Sequence, residues 1–361
     1  MTETVKALNL HEYQSLAAEI LPKMYYEFVA GGAEDETTLD ANRAAFARWV
    51  IIPRVLRGIQ SVNTTTKVLG REVSLPVLLA PVALHRLVND AGEAATAAAA
   101  RDAGTIFTMS TLSSQTVEEV AKEVGDWWFQ LYCYQDRATS LDLMRRAEAA
   151  GAAAILVTVD TPLLGRREAD ERNGFVPPPG MAPTNLAESA AAQGPAGVRG
   201  SGFAAYAAGL LHASLSWDDI DWIASQTNLP VGVKGVLSPE DGRIAAEYGA
   251  KVIVVSNHGG RQLDHSIAAL DALPGVVEVV AGRCEVLVDG GIRRGTDVLK
   301  ALALGAGAVM IGRPYMWGLT VGGRAGVLDV IEMLRIELEL DMLLAGCADI
   351  ASVNRDLIAH S

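Results

Sequence analysis

Eight short apolar runs along the chain constrain its fold more than any other feature of the sequence. Each run has the length and character of a strand that is buried on both faces of a parallel sheet. Segments of helical character, such as residues 92–104 and 238–250, separate most of them. The runs are Val77–Ala80, Ile106–Met109, Trp128–Leu131, Ile155–Thr158, Val231–Lys234, Val252–Val255, Val286–Asp289 and Val309–Ile311.

Alternating strands and helices predict parallel βαβ units, and eight such units close into a (β/α)8, or TIM, barrel. An open doubly wound sheet normally has fewer strands, and no G-x-G-x-x-G motif follows the first run. We therefore expect an α/β protein whose 361 residues form a single domain. Residues 1–75 would form a helical cap and lead-in, and residues 76–361 the barrel. After the fourth strand, residues of about 175–214 would form a long lid, mobile or partly disordered.

Both ends of the chain add to the predicted barrel. Residues 5 to about 48 have helical periodicity, with a break at Gly31-Gly32 and a second helical piece at Thr38–Trp49. Residues 50–75 have the character of an extended connection. After Ile311, the amphipathic pattern of residues 327–346 predicts the eighth barrel helix, followed by a tail.

The composition disfavours several classes of partner. Lys+Arg 30 against Asp+Glu 43 gives a formal net charge of −13, which argues against nucleic-acid binding. Cys133, Cys284 and Cys347 are widely spaced and form no C-x-x-C pair, as expected in a reducing cytoplasm. The sequence contains no pattern of a signal peptide and no apolar run of membrane-spanning length. We expect a cytoplasmic protein with no membrane partner and no metal site.

Polar side chains follow nearly all the predicted strands and indicate a polar ligand. In (β/α)8 barrels the catalytic groups lie where the strands end and lead into the helices. The residues at these ends include Ala80, Pro81, Val82, Ala83, Ser110, Gln130, Tyr132, Thr158, Asp160, Arg167, Lys234, Ser256, His258, Arg261, Asp289, Gly291, Arg293, Gly312 and Arg313.

His258 and Arg261, after the sixth strand, combine a titratable imidazole with a fixed cation. This pair suits proton abstraction from a substrate that carries a carboxylate, although a lone His is more often an ordinary turn residue. Asp160, after the fourth strand, could pair with His258 across the barrel mouth, raise its pKa and stabilise the imidazolium. An N-cap or a structural salt bridge explains Asp160 equally well.

Glycine-rich turns after the seventh and eighth strands indicate a phosphate site. Backbone N–H groups of such turns bind phosphate in many barrels, and Arg293 and Arg313 add positive charge here. Lys234, at the end of the fifth strand, admits three interpretations. It could reach solvent at the barrel mouth, form a Schiff base, or supply a fixed charge that stabilises a reduced electron-accepting ring.

Seven stretches carry a resemblance to a known family. They are LPKMYYEFVAGGAED at 21–35, FQLY at 129–132, VTVDTP..GRRE at 157–168, VKGV at 233–236, VSNHGGRQLD at 255–264, VDGGIRRGTDV at 288–298 and IGRP at 311–314. With them the chain resembles the FMN-dependent 2-hydroxy acid oxidases and dehydrogenases. The resemblance implies a TIM barrel that binds FMN and oxidises an (S)-2-hydroxy acid to the 2-keto acid. The reduced flavin of this family passes electrons to oxygen or another acceptor. We expect oxygen here, with hydrogen peroxide as product, because the sequence contains no membrane-inserting segment or haem domain. The resemblance also suggests a homo-oligomer, by analogy a tetramer.

The resemblance further implies roles for the residues at the strand ends. His258 would take a proton from the substrate with support from Asp160, and Tyr132 would hydrogen-bond near the reacting oxygen. Arg167 and Arg261 would hold the substrate carboxylate. Contacts to FMN would come from Lys234, which also acts in catalysis, and from Ala80, Pro81, Val82, Ala83, Ser110, Gln130, Thr158, Ser256, Asp289, Gly291, Arg293, Gly312 and Arg313.

Two substitutions relative to this family predict the class of substrate. Phe28 stands where the family often has a Tyr that binds the carboxylate, and Leu112 stands where glycolate-oxidising members have Trp. Both changes make the pocket more apolar, and Leu112 also makes it wider. Leu84 and Leu163 are expected to line the same cavity. We expect an aryl or bulky substrate such as mandelate or 4-hydroxymandelate.

Three other functions stay open on the sequence alone. The first is a 2-hydroxy acid dehydrogenase that passes electrons to a quinone or cytochrome, although no haem domain or membrane-inserting segment favours it. The second is a non-flavin, phosphate-binding aldolase that uses Lys234 as a Schiff base. The third is a barrel that binds FMN or a metabolite without catalysis, which the combination of His258, Arg261 and Asp160 disfavours.

Overall fold

Eight parallel strands pair in sequence order around a closed barrel, and the eighth pairs with the first, Val309 beside Val77. The computed structural model describes residues 7–186 and 211–361. It confirms the predicted (β/α)8 barrel, and each observed strand begins and ends within two residues of its predicted run. The strands are Val77–Leu79, Phe107–Ser110, Trp127–Leu131, Ala154–Thr158, Val231–Val236, Val252–Val255, Glu285–Asp289 and Ala308–Ile311.

The period-two alternation of the strands divides the core into two layers. In the sixth strand, Val252 and Val254 point into the barrel, whereas Ile253 and Val255 pack against the surrounding helices. Trp128 is fully buried inside the barrel. Because both faces of each strand are covered, the strands are continuous apolar runs and were readily predicted.

Helices of very different length connect the strands. The connection after the fourth strand contains two described helices, and the second connection contains a single turn, whose cap Thr116 accepts from Glu119 N in a capping box. In chain order the helices are Gly92–Ala103, Val117–Val120, Arg137–Ala149, Glu168–Arg172, Trp217–Ser225, Pro239–Glu247, Ala269–Val280, Gly295–Ala303 and Arg313–Ala345.

The N-terminal cap consists of three helices, Leu10–Ile20, Lys23–Ala30 and Thr37–Ala47. Asn9 begins the first helix by accepting hydrogen bonds from the backbone N–H groups of His11 and Glu12. The cap helices were predicted, but the prediction that the third extends to Trp49 is wrong.

Residues 50–75 and the C-terminal tail contain strands that the sequence interpretation missed. Trp49–Ile51 pairs antiparallel with Ile358–His360, so the tail returns to the cap instead of trailing away. Thr66–Val68 and Arg71–Val73 form a hairpin. Its Val68 and Val73 side chains belong to the core inside the barrel.

The C-terminal helix begins immediately after the eighth strand, at Arg313, earlier than the predicted 327–346. Gly323, with φ 56°, interrupts the helical conformation and divides the segment into two helices. None of the helices within 7–186 and 211–361 is long and apolar enough to cross a membrane. Of the predicted lid, residues 187–210 lie outside the described residues. The single-domain assignment stays a prediction.

Candidate active site

A cleft opens where the barrel strands end, beneath the second cap helix. It encloses about 1020 Å³ of space, including its open mouth, which suits a cofactor and a small substrate. The lining residues are Phe28, Val29, Ala80, Pro81, Val82, Ala83, Ser110, Leu112, Tyr132, Leu164, Arg167, Lys234, His258, Gly259, Arg261, Asp289, Gly290, Gly291, Ile292, Arg293, Met310, Ile311, Gly312, Arg313 and Pro314.

Four residues of the predicted site lie directly behind this lining. Gln130 accepts a hydrogen bond from Ser110 Oγ at 3.2 Å, and its Nε2 donates to Thr158 Oγ1 at 2.9 Å. Ser256 Oγ accepts from Lys234 Nζ at 2.9 Å. The fourth, Asp160, contacts the imidazole described below. All the other predicted site residues line the cleft.

The sequence interpretation of the cavity wall needs correction at two leucines. Leu163 is 60% exposed and Leu84 is fully buried, and neither belongs to the lining of the cleft. Leu164 lines it instead. Both leucines lie outside the strands, where no periodic pattern in the sequence fixes the direction of a side chain.

Several lining residues were not predicted. Met310 and Ile311 end the eighth strand, so their position in the barrel was enough to propose them. The others lie in turns or in the cap, where only tertiary contacts reveal them, and they are Val29, Leu164, Gly259, Gly290, Ile292 and Pro314.

His258 pairs with Asp160 across the barrel mouth, with Nδ1 2.8 Å from Oδ1. His258, Gly259 and Gly260 all have positive φ values of 58°, 65° and 75°. This conformation is unfavourable for a residue with a Cβ, and the bond from His258 N to Ser256 Oγ at 3.0 Å helps to hold it. The turn directs the imidazole into the cleft, where 18% of the side chain remains exposed.

A bulge in the fifth strand makes room for Asp160. The strand register shifts between Lys234 and Val236, and the intervening Gly235 has a φ of 116°. A Cβ at Gly235 would lie 2.6 Å from the Cβ of Asp160. Glycine is therefore required at this position so that the carboxylate can approach the imidazole.

The charges around His258 fix its protonation state. Burial lowers the pKa of His258 and outweighs the opposite effect of Asp160, and Lys234 lowers it further. Burial alone would raise the pKa of Asp160, but His258 and Lys234 hold that pKa below its usual value. The pair at neutral pH is therefore a neutral imidazole beside a carboxylate. Because the carboxylate only accepts, Nδ1 carries the proton and Nε2 is free to accept one.

The cleft is cationic although the chain as a whole is acidic. Its fixed cations are Arg167, Lys234, Arg261, Arg293 and Arg313. Asp289 is the one carboxylate among the described residues of the lining. Burial lowers the pKa of Arg261 far below its usual value, and repulsion from Arg167 and Arg313 adds to this effect. A bound anion would relieve this repulsion.

The seventh and eighth strand ends fit the phosphate and ribityl chain of FMN. Asp289 Oδ1 and Arg293 Nε are buried, and neither has a hydrogen-bond partner among the described residues. The first can accept from a hydroxyl group, and the second can donate to a phosphate oxygen. Burial, with repulsion from Arg313, lowers the pKa of Arg293 to about 9, so it is still charged at neutral pH.

Arg313 contacts the cap more closely than the sequence suggested. Its guanidinium donates to the carbonyl oxygens of Val29, Ala30, Gly31 and Gly259, at 2.8–3.1 Å. A guanidinium has five N–H groups, so part of its donor capacity is left for a ligand. Arg313 thus fixes the cap over the cleft and contributes charge to it.

Comparisons with known proteins agree with this geometry. Residues 17–360 match the family described as FMN-dependent dehydrogenase. The chain is 49% identical to an L-lactate oxidase of Nostoc sp. over 99% of this chain and 100% of that protein. It is 48% identical to a glycolate oxidase of Spinacia oleracea over 97% and 95% of the two chains.

A solved structure is also similar over nearly the whole chain. A mandelate oxidase with (S)-4-hydroxymandelic acid superposes with a TM-score of 0.92 at 46% identity, covering 96% of this chain and 97% of that one. All these relatives are oxidases of 2-hydroxy acids. The non-flavin aldolase interpretation of Lys234 is therefore wrong, and the chain belongs to the family of FMN-dependent 2-hydroxy acid oxidases.

Proposed function

We propose that this enzyme oxidises an aryl or otherwise bulky (S)-2-hydroxy acid to the 2-keto acid, with oxygen as electron acceptor and hydrogen peroxide as product. The observation that carries the proposal is the His258–Asp160 pair at 2.8 Å in a cleft that also holds Arg167 and Arg261. A base and an anion site in one cavity suit a substrate that has both an acidic proton and a carboxylate.

His258 is the base in this proposal. Its Nε2 accepts a proton from the substrate while Nδ1 donates to Asp160 Oδ1. The carboxylate then stabilises the imidazolium, as in other His–Asp pairs. Burial and the nearby charge of Asp160 raise the pKa of Tyr132, so its phenol stays protonated and can donate a hydrogen bond to the reacting oxygen.

Arg167 and Arg261 bind the substrate carboxylate and orient the substrate. Both line the cleft, and burial lowers the pKa of each. The guanidinium of Arg261 is fixed by a 2.8 Å bond to Gly31 O and lies 5.4 Å from the centre of the Phe28 ring. A carboxylate held by two fixed guanidinium groups has few orientations available, so the reacting carbon is directed toward His258.

FMN, when bound, would accept the electron pair that leaves the substrate together with the second hydrogen, the first having gone to His258 as a proton. Lys234 would hold it by a fixed charge, because Nζ donates to Asp289 Oδ2 at 3.0 Å and burial does not neutralise it. Burial acts to lower the pKa of Lys234, but the charges of Asp289 and Asp160 raise it overall. The other residues that we propose to bind FMN lie at the end of the first strand, behind the cleft and in the glycine turns. These are Ala80, Pro81, Val82, Ala83, Ser110, Gln130, Thr158, Ser256, Asp289, Gly291, Arg293, Gly312 and Arg313.

The wall of the cleft supports a bulky apolar substituent on the substrate. Phe28, Leu112 and Leu164 all line it, and Phe175 stacks behind Phe28 with ring centroids 4.3 Å apart. An apolar wall binds an aryl ring by removing its surface from water and offers no hydrogen bond to a small polar substrate. A similar enzyme was solved with (S)-4-hydroxymandelic acid, which supports both the aryl group and the (S) configuration.

Initial rates on glycolate, lactate and both enantiomers of mandelate test the substrate assignment. We expect kcat/KM for (S)-mandelate to exceed that for glycolate by at least about tenfold. A preference for glycolate or lactate would reject the aryl assignment and leave the 2-hydroxy acid chemistry in place. One hydrogen peroxide per keto acid supports oxygen as acceptor, whereas turnover that requires an added dye supports a dehydrogenase.

Two further proposals concern the whole protein. The family resemblance suggests a homotetramer, and exposed apolar side chains on the C-terminal helix offer a surface for self-association. The absence of a cysteine framework agrees with a cytoplasmic location.

A further inference from the structure

The loops after the fourth and sixth strands carry the proposed catalytic groups and meet along a direct backbone contact. One loop provides Asp160 and Arg167, and the other provides His258 and Arg261. At Gly165 the two backbones touch, since a Cβ there would overlap Arg261 O and lie 2.6 Å from Gln262 O. The relative position of the base, its carboxylate partner and both arginines therefore depends on this contact.

Gln262 joins the two loops by three hydrogen bonds. Its Nε2 donates to Asp160 O and to Leu163 O, both at 2.8 Å. Its Oε1 accepts from Gly165 N at 3.0 Å. Both N–H groups and the carbonyl of the amide are thus used, and all three partners belong to residues 160–165 of the other loop. A carboxylate could not make the two donations, and a shorter amide could not reach.

We propose that Gln262 is a positioning residue that holds Asp160 and Arg167 in register with His258 and Arg261. Gln262 does not line the cleft, so it acts through these residues and not on the substrate. The inference rests on the proposed function, because that function assigns the base and the carboxylate site.

Loss of the Gln262 hydrogen bonds should shift the pKa of His258 in one defined direction. A general loss of stability would not produce this shift. His258 faces Asp160 at 2.8 Å, and the charges of Lys234 and Arg167 also act on it. Of these groups only Asp160 raises the pKa of His258. When Asp160 moves away, that pKa falls, and the acidic limb of the pH profile of kcat/KM shifts to lower pH.

The test compares Gln262→Met with wild type, because Met keeps length and neutrality but makes none of the three bonds. We expect kcat/KM for the best 2-hydroxy acid to fall at least about tenfold, with the acidic limb at lower pH. Binding of benzoylformate, followed by the flavin spectrum, should weaken as the two arginines separate. Gly165→Ala should produce the same pattern by forcing the loops apart.

Gln226→Met is the matched control, because Gln226 is exposed and, among the described residues, its amide donates to Ser225 Oγ alone. It should leave the pH profile and benzoylformate binding unchanged. If Gln262→Met and Gly165→Ala lower only the melting temperature, with pH limb and ligand affinity as in wild type, Gln262 is merely structural and the proposal is overturned. If either variant does not fold, the other decides. A wild-type enzyme that binds FMN but oxidises no 2-hydroxy acid would instead reject the proposed function.

Discussion

At the scale of single residues, the site depends on an imidazole held in an unfavourable backbone conformation. The left-handed φ of His258 persists because the hydroxyl of Ser256 and the carboxylate of Asp160 both bind this residue. Asn257 stabilises the same turn, since its Oδ1 accepts from Gly260 N at 3.1 Å and its Nδ2 donates to Ile267 O at 3.0 Å. The proposed base is therefore preorganised before any substrate binds.

Asp160→Asn should show two effects of the carboxylate on His258, namely stabilisation of the imidazolium and a raised pKa. We expect kcat/KM to fall by about 10²-fold or more, because the imidazolium loses its counter-charge. The acidic limb should move to lower pH, because Asp160 is the group that raises the pKa of His258. Steady-state rates across pH measure both. Asp142→Asn, at a 68% exposed side chain, is the control. An unchanged limb would show that Asp160 does not act on the base.

Phe28→Tyr should change substrate preference without changing the fold. Phe28 is 4% exposed and lines the cleft beside Arg261. A hydroxyl there adds a hydrogen bond worth about 1 kcal/mol to a substrate carboxylate, or about fivefold in KM. The gain should be larger for lactate and glycolate than for mandelate, whose ring needs the apolar wall. Tyr25→Phe, which lies outside the lining, is the control. Equal changes for all substrates would place Phe28 away from the substrate.

At the scale of helices and strands, the buried segments were the ones that the sequence predicted well. The barrel strands were predicted because both faces are buried, which leaves a continuous apolar run in the sequence. Trp49–Ile51 and Ile358–His360 are only three residues each and pair across about 300 positions, so no local pattern indicates them. For the site, position at a strand end predicted most of the lining, whereas Leu164 and Val29 depend on loop and cap contacts that only folding creates.

The turn after the seventh strand requires glycine because the cap lies against it. A Cβ at Gly291, where φ is 84°, would overlap the carbonyl oxygen of Asn42 and come within 3.0 Å of the Phe46 ring. Asn42 in turn exchanges two 2.8 Å amide hydrogen bonds with Asn257. The third cap helix therefore contacts both the proposed phosphate turn and the loop that carries the proposed base.

Gly291→Ala should accordingly weaken FMN binding by about tenfold, because the turn must shift away from Asn42. Gly282→Ala is matched for backbone strain, since Gly282 has a φ of 74° but no atom lies within 4 Å of the point that its Cβ would occupy. The ratio of flavin to protein after dialysis, together with FMN titration of the apoprotein, measures the difference. If both variants lose FMN affinity to a similar extent, backbone strain and not the cap contact causes the loss.

At the scale of the whole molecule, one surface is more apolar than a monomer needs. Ile336, Leu340 and Leu344 repeat every four residues on the C-terminal helix and are 63%, 54% and 67% exposed. Arg54 N donates to Ala345 O at 3.1 Å, which places the exposed Val55 segment beside the end of this stripe. Apolar patches of this kind are typical of surfaces that associate with another protein.

This face predicts the effect of charge on assembly. Lysine at both Leu340 and Leu344 would place two cations in the proposed apolar contact, so we expect the proposed oligomer to dissociate toward smaller species. Light scattering after gel filtration measures the mass, and Val176→Lys, at a 58% exposed side chain away from the C-terminal helix in sequence, is the control. Because neither Leu340 nor Leu344 lines the cleft, FMN content should persist in the double variant. An unchanged mass would mean that this face is not an interface between copies of the chain.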